Sequence, residues 1–120
     1  MVLLYVSKIR PINTARSHFN TTLSGELLEK IKEIAKKEDT SYNFILEEGM
    51  EWILETYYLK GSFHKSDKPA DRVRINTTFD TSLFNRVKAR GKRLGKMIYA
   101  NDLIEEGMSY IIDKRNNNVE

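Results

Sequence analysis

Cysteine is absent from the 120-residue chain, which excludes disulfides and thiolate chemistry, and only two histidines are present. A zinc site would need both imidazoles plus carboxylates. Neither His18 nor His64 has a second histidine or carboxylate at ligand spacing on its own element, so no metal is expected. Glycine-rich phosphate loops and Ser-His-Asp groupings are missing too, and neither a cofactor nor an enzymatic activity is expected. No apolar run approaches the length of a membrane span. The opening Met1-Val2-Leu3-Leu4-Tyr5-Val6 is apolar but lacks the basic leader, length and cleavage site of a secretory signal. It reads as a short strand or packed arm, and a reducing cytoplasm is the expected compartment.

What is present suits a folded helical protein: 40% hydrophobic and 31% charged residues in 14.0 kDa, the size of one domain. The net charge of +3 is compatible with a polyanionic partner without demanding one. Its distribution is more informative. Residues 1–17 carry +3, residues 18–58 carry −5, residues 59–72 carry +2 and residues 73–120 carry +3. Basic contacts to a nucleic acid would therefore come largely from the N-terminal arm, the linker and the second half. The helices of the first half read as solvated faces.

An internal repeat organises the chain. His18-Phe19-Asn20-Thr21-Thr22-Leu23 aligns with Arg74-Ile75-Asn76-Thr77-Thr78-Phe79 at an offset of 56, and Glu47-Glu48-Gly49-Met50 recurs as Glu105-Glu106-Gly107-Met108 at an offset of 58. The expected layout is an arm (1–17), a first unit (18–58), a linker (59–72), a second unit (73–115) sharing one core with the first, and a tail (116–120).

Each unit opens with period-two alternation, the signature of a strand: Phe19, Thr21 and Leu23 against His18, Asn20 and Thr22, then Val73, Ile75, Thr77 and Phe79 against Arg74, Asn76 and Thr78. Ser24 and Asp80 stand at matching positions where a side-chain oxygen would cap a first helix. Leu27, Leu28, Ile31, Ile34 and Ala35 follow at helical spacing, matched by Leu83, Phe84, Val87 and Gly91, with Arg90 breaking the stripe where Ile34 stands. Thr40-Ser41 signals a second helix carrying Tyr42, Ile45, Leu46, Gly49 and Ile53; its counterpart carries Ala100, Leu103, Ile104, Gly107 and Ile111. A helix-interior glycine costs about 1 kcal/mol relative to alanine. Its presence in both second helices predicts a close crossing of Gly49 and Gly107. Gly61, Ser62, Asp67 and Pro69 mark an irregular linker.

One strand and two short helices cannot bury a two-sided core alone. Pairing the two strands antiparallel buries Phe19, Leu23, Ile75 and Phe79 on four helices and leaves His18, Asn20, Thr22, Arg74, Asn76 and Thr78 on the opposite face. The expected fold is mainly α with a two-stranded antiparallel ribbon, the tandem units forming an intramolecular pseudo-dimer. Such a ribbon fits the major groove of B-DNA, where amide, guanidinium and hydroxyl groups read base edges.

On these residues the chain resembles the ribbon-helix-helix family of MetJ-, Arc- and CopG-like regulators, over residues 18–56 and 73–113, in a tandem arrangement similar to that of the conjugation accessory protein TraY. The resemblance implies base contacts from His18, Asn20, Thr22, Arg74, Asn76 and Thr78, and a phosphate anchor at the start of the second helix. Ser41 and Tyr42, with Tyr99 and Ala100, match that start, where free backbone N–H groups favour an anion. Arg10, Arg16 and Lys96 are the flanking candidates for phosphate contact. The second unit departs from the pattern in lacking a Ser or Thr cap there.

Plainer readings stand beside these. The outward residues also suit a solvated ribbon face, although asparagine is a poor strand former and occurs at both matching positions. Arg86, Lys88, Arg90, Lys92, Arg93 and Lys96 suit either a phosphate-facing patch or a soluble helix face. Trp52, Tyr57, Tyr58 and Phe63 suit core closure or an interface better than base stacking. The expected function is sequence-specific binding of double-stranded DNA by a transcriptional repressor of a phage, plasmid or other mobile element, with pseudo-dimers self-associating on the site. The alternatives are an accessory factor at a conjugative transfer origin, or an antitoxin-like or inhibitory module with a protein partner.

Overall fold

Alternation of apolar and polar side chains produces two strands, and each runs without a break into a helix. In the computed structural model, which describes residues 15–117, the order is β1 (Arg16–Ser24), α1 (Gly25–Lys37), α2 (Tyr42–Thr56), β2 (Arg72–Asp80), α3 (Thr81–Leu94) and α4 (Ala100–Asn117). Arg10, with the rest of the expected arm through residue 14, and the last three residues of the tail lie outside the described residues. The chain is mainly helical with one two-stranded antiparallel sheet. Asn20 stands opposite Asn76 at its centre, flanked outward to Arg16 opposite Asp80 and Ser24 opposite Arg72.

The strand-to-helix turns are capped by the two matched residues. The Leu27 N–H donates to Ser24 Oγ at 3.3 Å and the Leu83 N–H to Asp80 Oδ1 at 3.0 Å. The second helices start differently. Ser41 precedes α2 but its side chain makes no cap hydrogen bond, contrary to the capping signal read from Thr40-Ser41. Before α4, the Tyr99 N–H donates to Asp102 Oδ2 at 2.8 Å, the reach-back half of a capping box, which compensates for the missing Ser or Thr.

Leu23, Ile75 and Phe79 are buried beneath the ribbon, and Phe19 is half-buried with its ring 4.0 Å from that of Phe84. Val73, at the start of β2, departs from the alternation and is exposed. Leu28, Ile31 and Ala35 bury one stripe of α1, and Leu83, Phe84, Val87 and Leu94 the matching stripe of α3. Arg90 does not weaken that stripe by pointing outward. It donates to the carbonyls of Leu54 and Tyr57 at 2.7 Å each, satisfying groups that the end of α2 leaves open. Burial, followed by the neighbouring Arg93 and Arg86 charges, lowers its pKa.

The centre of the core is the crossing of α2 and α4. A Cβ placed on Gly49 would lie 2.9 Å from the Gly107 carbonyl carbon, and one on Gly107 would lie 2.8 Å from that of Gly49. One turn further on, Trp52 stacks on Tyr110 with ring centroids 4.0 Å apart and planes 4° from parallel. Tyr57 meets both Trp52 and the buried Phe63 edge-on, so three of the four aromatic residues singled out above close the core; Tyr58 is exposed.

The linker is irregular but laced to both halves. The Gly61 N–H donates to the Leu94 carbonyl at 3.1 Å and the Gly25 N–H to that of Asp71 at 3.0 Å. The Asp71 carboxylate accepts from the Glu26 N–H and the Ser24 hydroxyl; the Glu26 bond, ahead of the Ser24 bond, holds its pKa below the usual value. Among the described residues no helix is long and apolar enough to cross a membrane.

The glycine crossing generates a test. Gly49→Ala would raise intrinsic helix propensity, yet its methyl meets backbone rather than a yielding side chain, so a loss of about 1–3 kcal/mol is expected. Urea denaturation of the variant checks this, and unchanged or increased stability would contradict the close approach.

Candidate nucleic-acid interface

The outward face of the ribbon consists of three directly opposed pairs, His18 with Thr78, Asn20 with Asn76 and Thr22 with Arg74. All six residues singled out for base contact are thus brought together on one surface. His18, Asn20, Arg74 and Asn76 are exposed, whereas Thr22 and Thr78 are half-buried. The cause is a matched pair of contacts that the sequence reading missed. Asn43 Nδ2 donates to the Thr78 carbonyl at 3.0 Å and to its Oγ1 at 3.2 Å; Asn101 Nδ2 donates to the Thr22 carbonyl at 3.4 Å and to its Oγ1 at 3.3 Å. Asn43 and Asn101 lie in the first turns of α2 and α4, so each helix start is tied to one end of the ribbon.

The candidate phosphate contacts fall beside these starts. Ser41 is exposed, and Tyr42 is half-buried with Lys32 Nζ 5.4 Å from its ring centroid. Tyr99 is exposed with Lys65 Nζ 5.1 Å from its ring, and Lys96 is exposed in the turn before it. Arg16 sits differently. Its guanidinium donates to Glu47 Oε2 at 2.9 Å and to the Thr78 carbonyl at 3.2 Å, and lies 5.1 Å from the Phe44 ring centroid. In the basic run, Arg86, Lys88, Lys92, Arg93 and Lys96 are exposed while Arg90 turns inward to α2.

Two buried carboxylates support this surface from below. Glu47, only 2% exposed, is an exception to the solvated acidic face expected of the first half. Its Oε2 accepts the Asp80 N–H at 2.7 Å as well as Arg16. Glu105, at the matching position, accepts the Ser24 N–H on Oε2 at 2.8 Å and takes Arg72 on both oxygens, at 2.9 and 2.7 Å. Hydrogen bonds from Arg72 to Glu105, opposed by burial and reinforced by Asp102, raise the Arg72 pKa. The signal for this arrangement was present in the repeat: Arg16 and Arg72 share the strand offset of 56, and Glu47 and Glu105 share the helix offset of 58.

The second acid of the repeated tetrapeptide also has a matched task. Glu48 receives Arg115 through two bonds of 3.0 Å, and Glu106 receives the Tyr57 hydroxyl at 3.1 Å. Burial first, and then the Glu106 charge, raises the Tyr57 pKa. Among the described residues no group of three or more His, Asp or Glu side chains is placed to hold a metal ion.

No family model, curated protein or solved structure matches the chain. The chemical reading of this surface therefore rests on its own geometry.

Glu105→Ala would leave the half-buried Arg72 without its bidentate partner and the buried Ser24 N–H without its acceptor. The expected cost is about 1–3 kcal/mol, because the buried Ser24 N–H loses its acceptor while Arg72 keeps Asp102 as its remaining partner. Chemical denaturation checks this, and a change within experimental error would remove the carboxylate from its supporting role.

Proposed function

We propose that this chain binds double-stranded DNA sequence-specifically by laying its two-stranded ribbon in the major groove. In this reading it is a tandem of two ribbon-helix-helix units that form a pseudo-dimer within one chain, and it acts as a transcriptional repressor of a mobile element. The observation that carries the proposal is the register: Asn20 faces Asn76 at the ribbon's centre, and the three polar pairs lie on the face opposite the buried Leu23, Ile75 and Phe79. An asparagine amide presents a donor and an acceptor at once, which matches the N6 and N7 edge of adenine, and Arg74 suits guanine in the same way.

The helix starts support the same reading. Contacts of Asn43 to Thr78 and of Asn101 to Thr22 put one helix N-terminus at each end of the ribbon. A duplex in contact with the ribbon would then run its phosphates past Ser41 and Tyr42 on one side and Tyr99 and Lys96 on the other, where the start of α2 and the Lys96 cation respectively favour anions. Arg16 serves this site chiefly by bracing the strand through Glu47. The two strands are not identical outward, since His18 stands where Arg74 stands in the repeat. The preferred site is accordingly an imperfect palindrome.

Electrophoretic mobility shift against the promoter region of the chain's own gene, with random DNA as competitor, tests the activity. Alanine at Asn20 or Asn76 is expected to cost about 1–3 kcal/mol of specific binding while leaving the melting temperature nearly unchanged. An equal loss on random DNA would argue against base reading. Specific affinity is also expected to fall as salt rises, by roughly 0.9 in log affinity per unit log salt for each phosphate neutralised. Lys96→Gln should flatten that slope, and a salt-independent affinity would instead indicate a protein partner.

A further inference from the structure

The repeat leaves one groove filled in the first half and open in the second. Tyr42 opens α2, half-buried against the core, with Lys32 beside its ring. The matching positions of the second half hold Ala100, the first residue of α4, and Lys88 on α3. Alanine cannot occupy the volume of a phenol, and a groove of ≈ 570 Å³ lies there between β1, α3 and the turn before α4. That volume falls within the usual range of small-molecule sites.

The chemistry of the groove is specific. Phe19 and Phe84, stacked at 4.0 Å, and the buried Ile98 supply aromatic and aliphatic surface. Lys88 and Lys92 line it as well, and among the described residues no acidic side chain does. Neither lysine has an ion-pair partner among the described residues. An apolar floor beside two uncompensated cations selects a ligand with an apolar or aromatic body and an anionic group, since each part satisfies what the other cannot.

We propose that this groove is a binding site for a small aromatic anion, a carboxylate or sulfonate carried on a flat ring system. Asn20 and Asn101 also belong to its lining, so an occupant adjoins the ribbon residue assigned to base reading and the side chain that ties α4 to Thr22. That link to DNA rests on the function proposed above. The groove itself does not.

The test uses the full chain without DNA, so failure of DNA binding and failure of this site are separable. The probe is 1-anilinonaphthalene-8-sulfonate, followed by fluorescence titration and by backbone amide NMR shifts. A single saturable site is expected, with shifts concentrated at Phe84, Ile98 and Ala100 and absent at Leu28 and Tyr42. Ala100→Tyr, which restores the side chain found in the first half, should weaken binding at least about tenfold. Combined Lys88→Gln and Lys92→Gln should weaken it about fivefold and remove the preference over uncharged anilinonaphthalene. The shift map in the unsubstituted chain keeps the test decisive should a variant fold poorly. The proposal is overturned by shifts elsewhere, by equal affinity for the uncharged probe, or by a folded Ala100→Tyr chain that binds as before. It is overturned equally if the full chain shows no saturable binding.

Discussion

A buried carboxylate on each of the two central helices holds the backbone N–H at which the opposite half turns from strand into helix. Glu105 on α4 accepts from Ser24, and Glu47 on α2 accepts from Asp80. Each carboxylate also takes an arginine from its own half, Arg72 and Arg16 respectively. Burying an ion pair seldom adds much net stability, because desolvation offsets the attraction. What it adds here is position, since a displaced register would leave a charge and an amide unsatisfied together. Ribbon register, helix starts and outward side chains all depend on that pair of contacts.

Packing reinforces the same arrangement at its centre. Gly49 and Gly107 allow the two backbones to approach more closely than any side chain would permit, and Trp52 on Tyr110 extends the contact along the helices. The tetrapeptide Glu-Glu-Gly-Met thus has a separate task at each position: a buried cap for the other half, a partner for Arg115 or Tyr57, a close approach, and a core side chain. Tasks of this kind tolerate little substitution. Where tasks differ, the halves diverge, as with Ile34 against Arg90 and Tyr42 against Ala100.

These divergences are where new properties arise. Arg90 replaces a packing contact by closing the carbonyl end of α2, which joins α3 to the first half. Ala100 removes a ring and leaves a lysine-rimmed apolar groove in its place. The linker is constrained in turn: Asp71 reaches the start of α1 and Lys65 reaches the Met97 carbonyl at 2.7 Å, so the connection also fastens the turn before α4.

Elements governed by local periodicity were legible without coordinates. Alternation in residues 18–23 and 74–79 specified the strands and their outward residues, helical spacing specified four helices, and the caps Ser24 and Asp80 followed from their position before those helices. The repeated glycines predicted their own crossing. The destinations of long polar side chains were not legible, because a charged residue has the same local pattern whether it faces water or a partner far along the chain. Arg16 read as a candidate phosphate contact and Glu47 as part of a solvated face, yet they pair with each other over a separation of 31 residues. Arg72 read as linker and instead meets Glu105 and Asp102. Sequence alone determined which faces are apolar and which six side chains share the ribbon's outer surface. Tertiary structure alone decided which charges are spent inside, which groove is left open, and how each helix start is held against the ribbon, because those outcomes depend on distances between segments that no local period encodes.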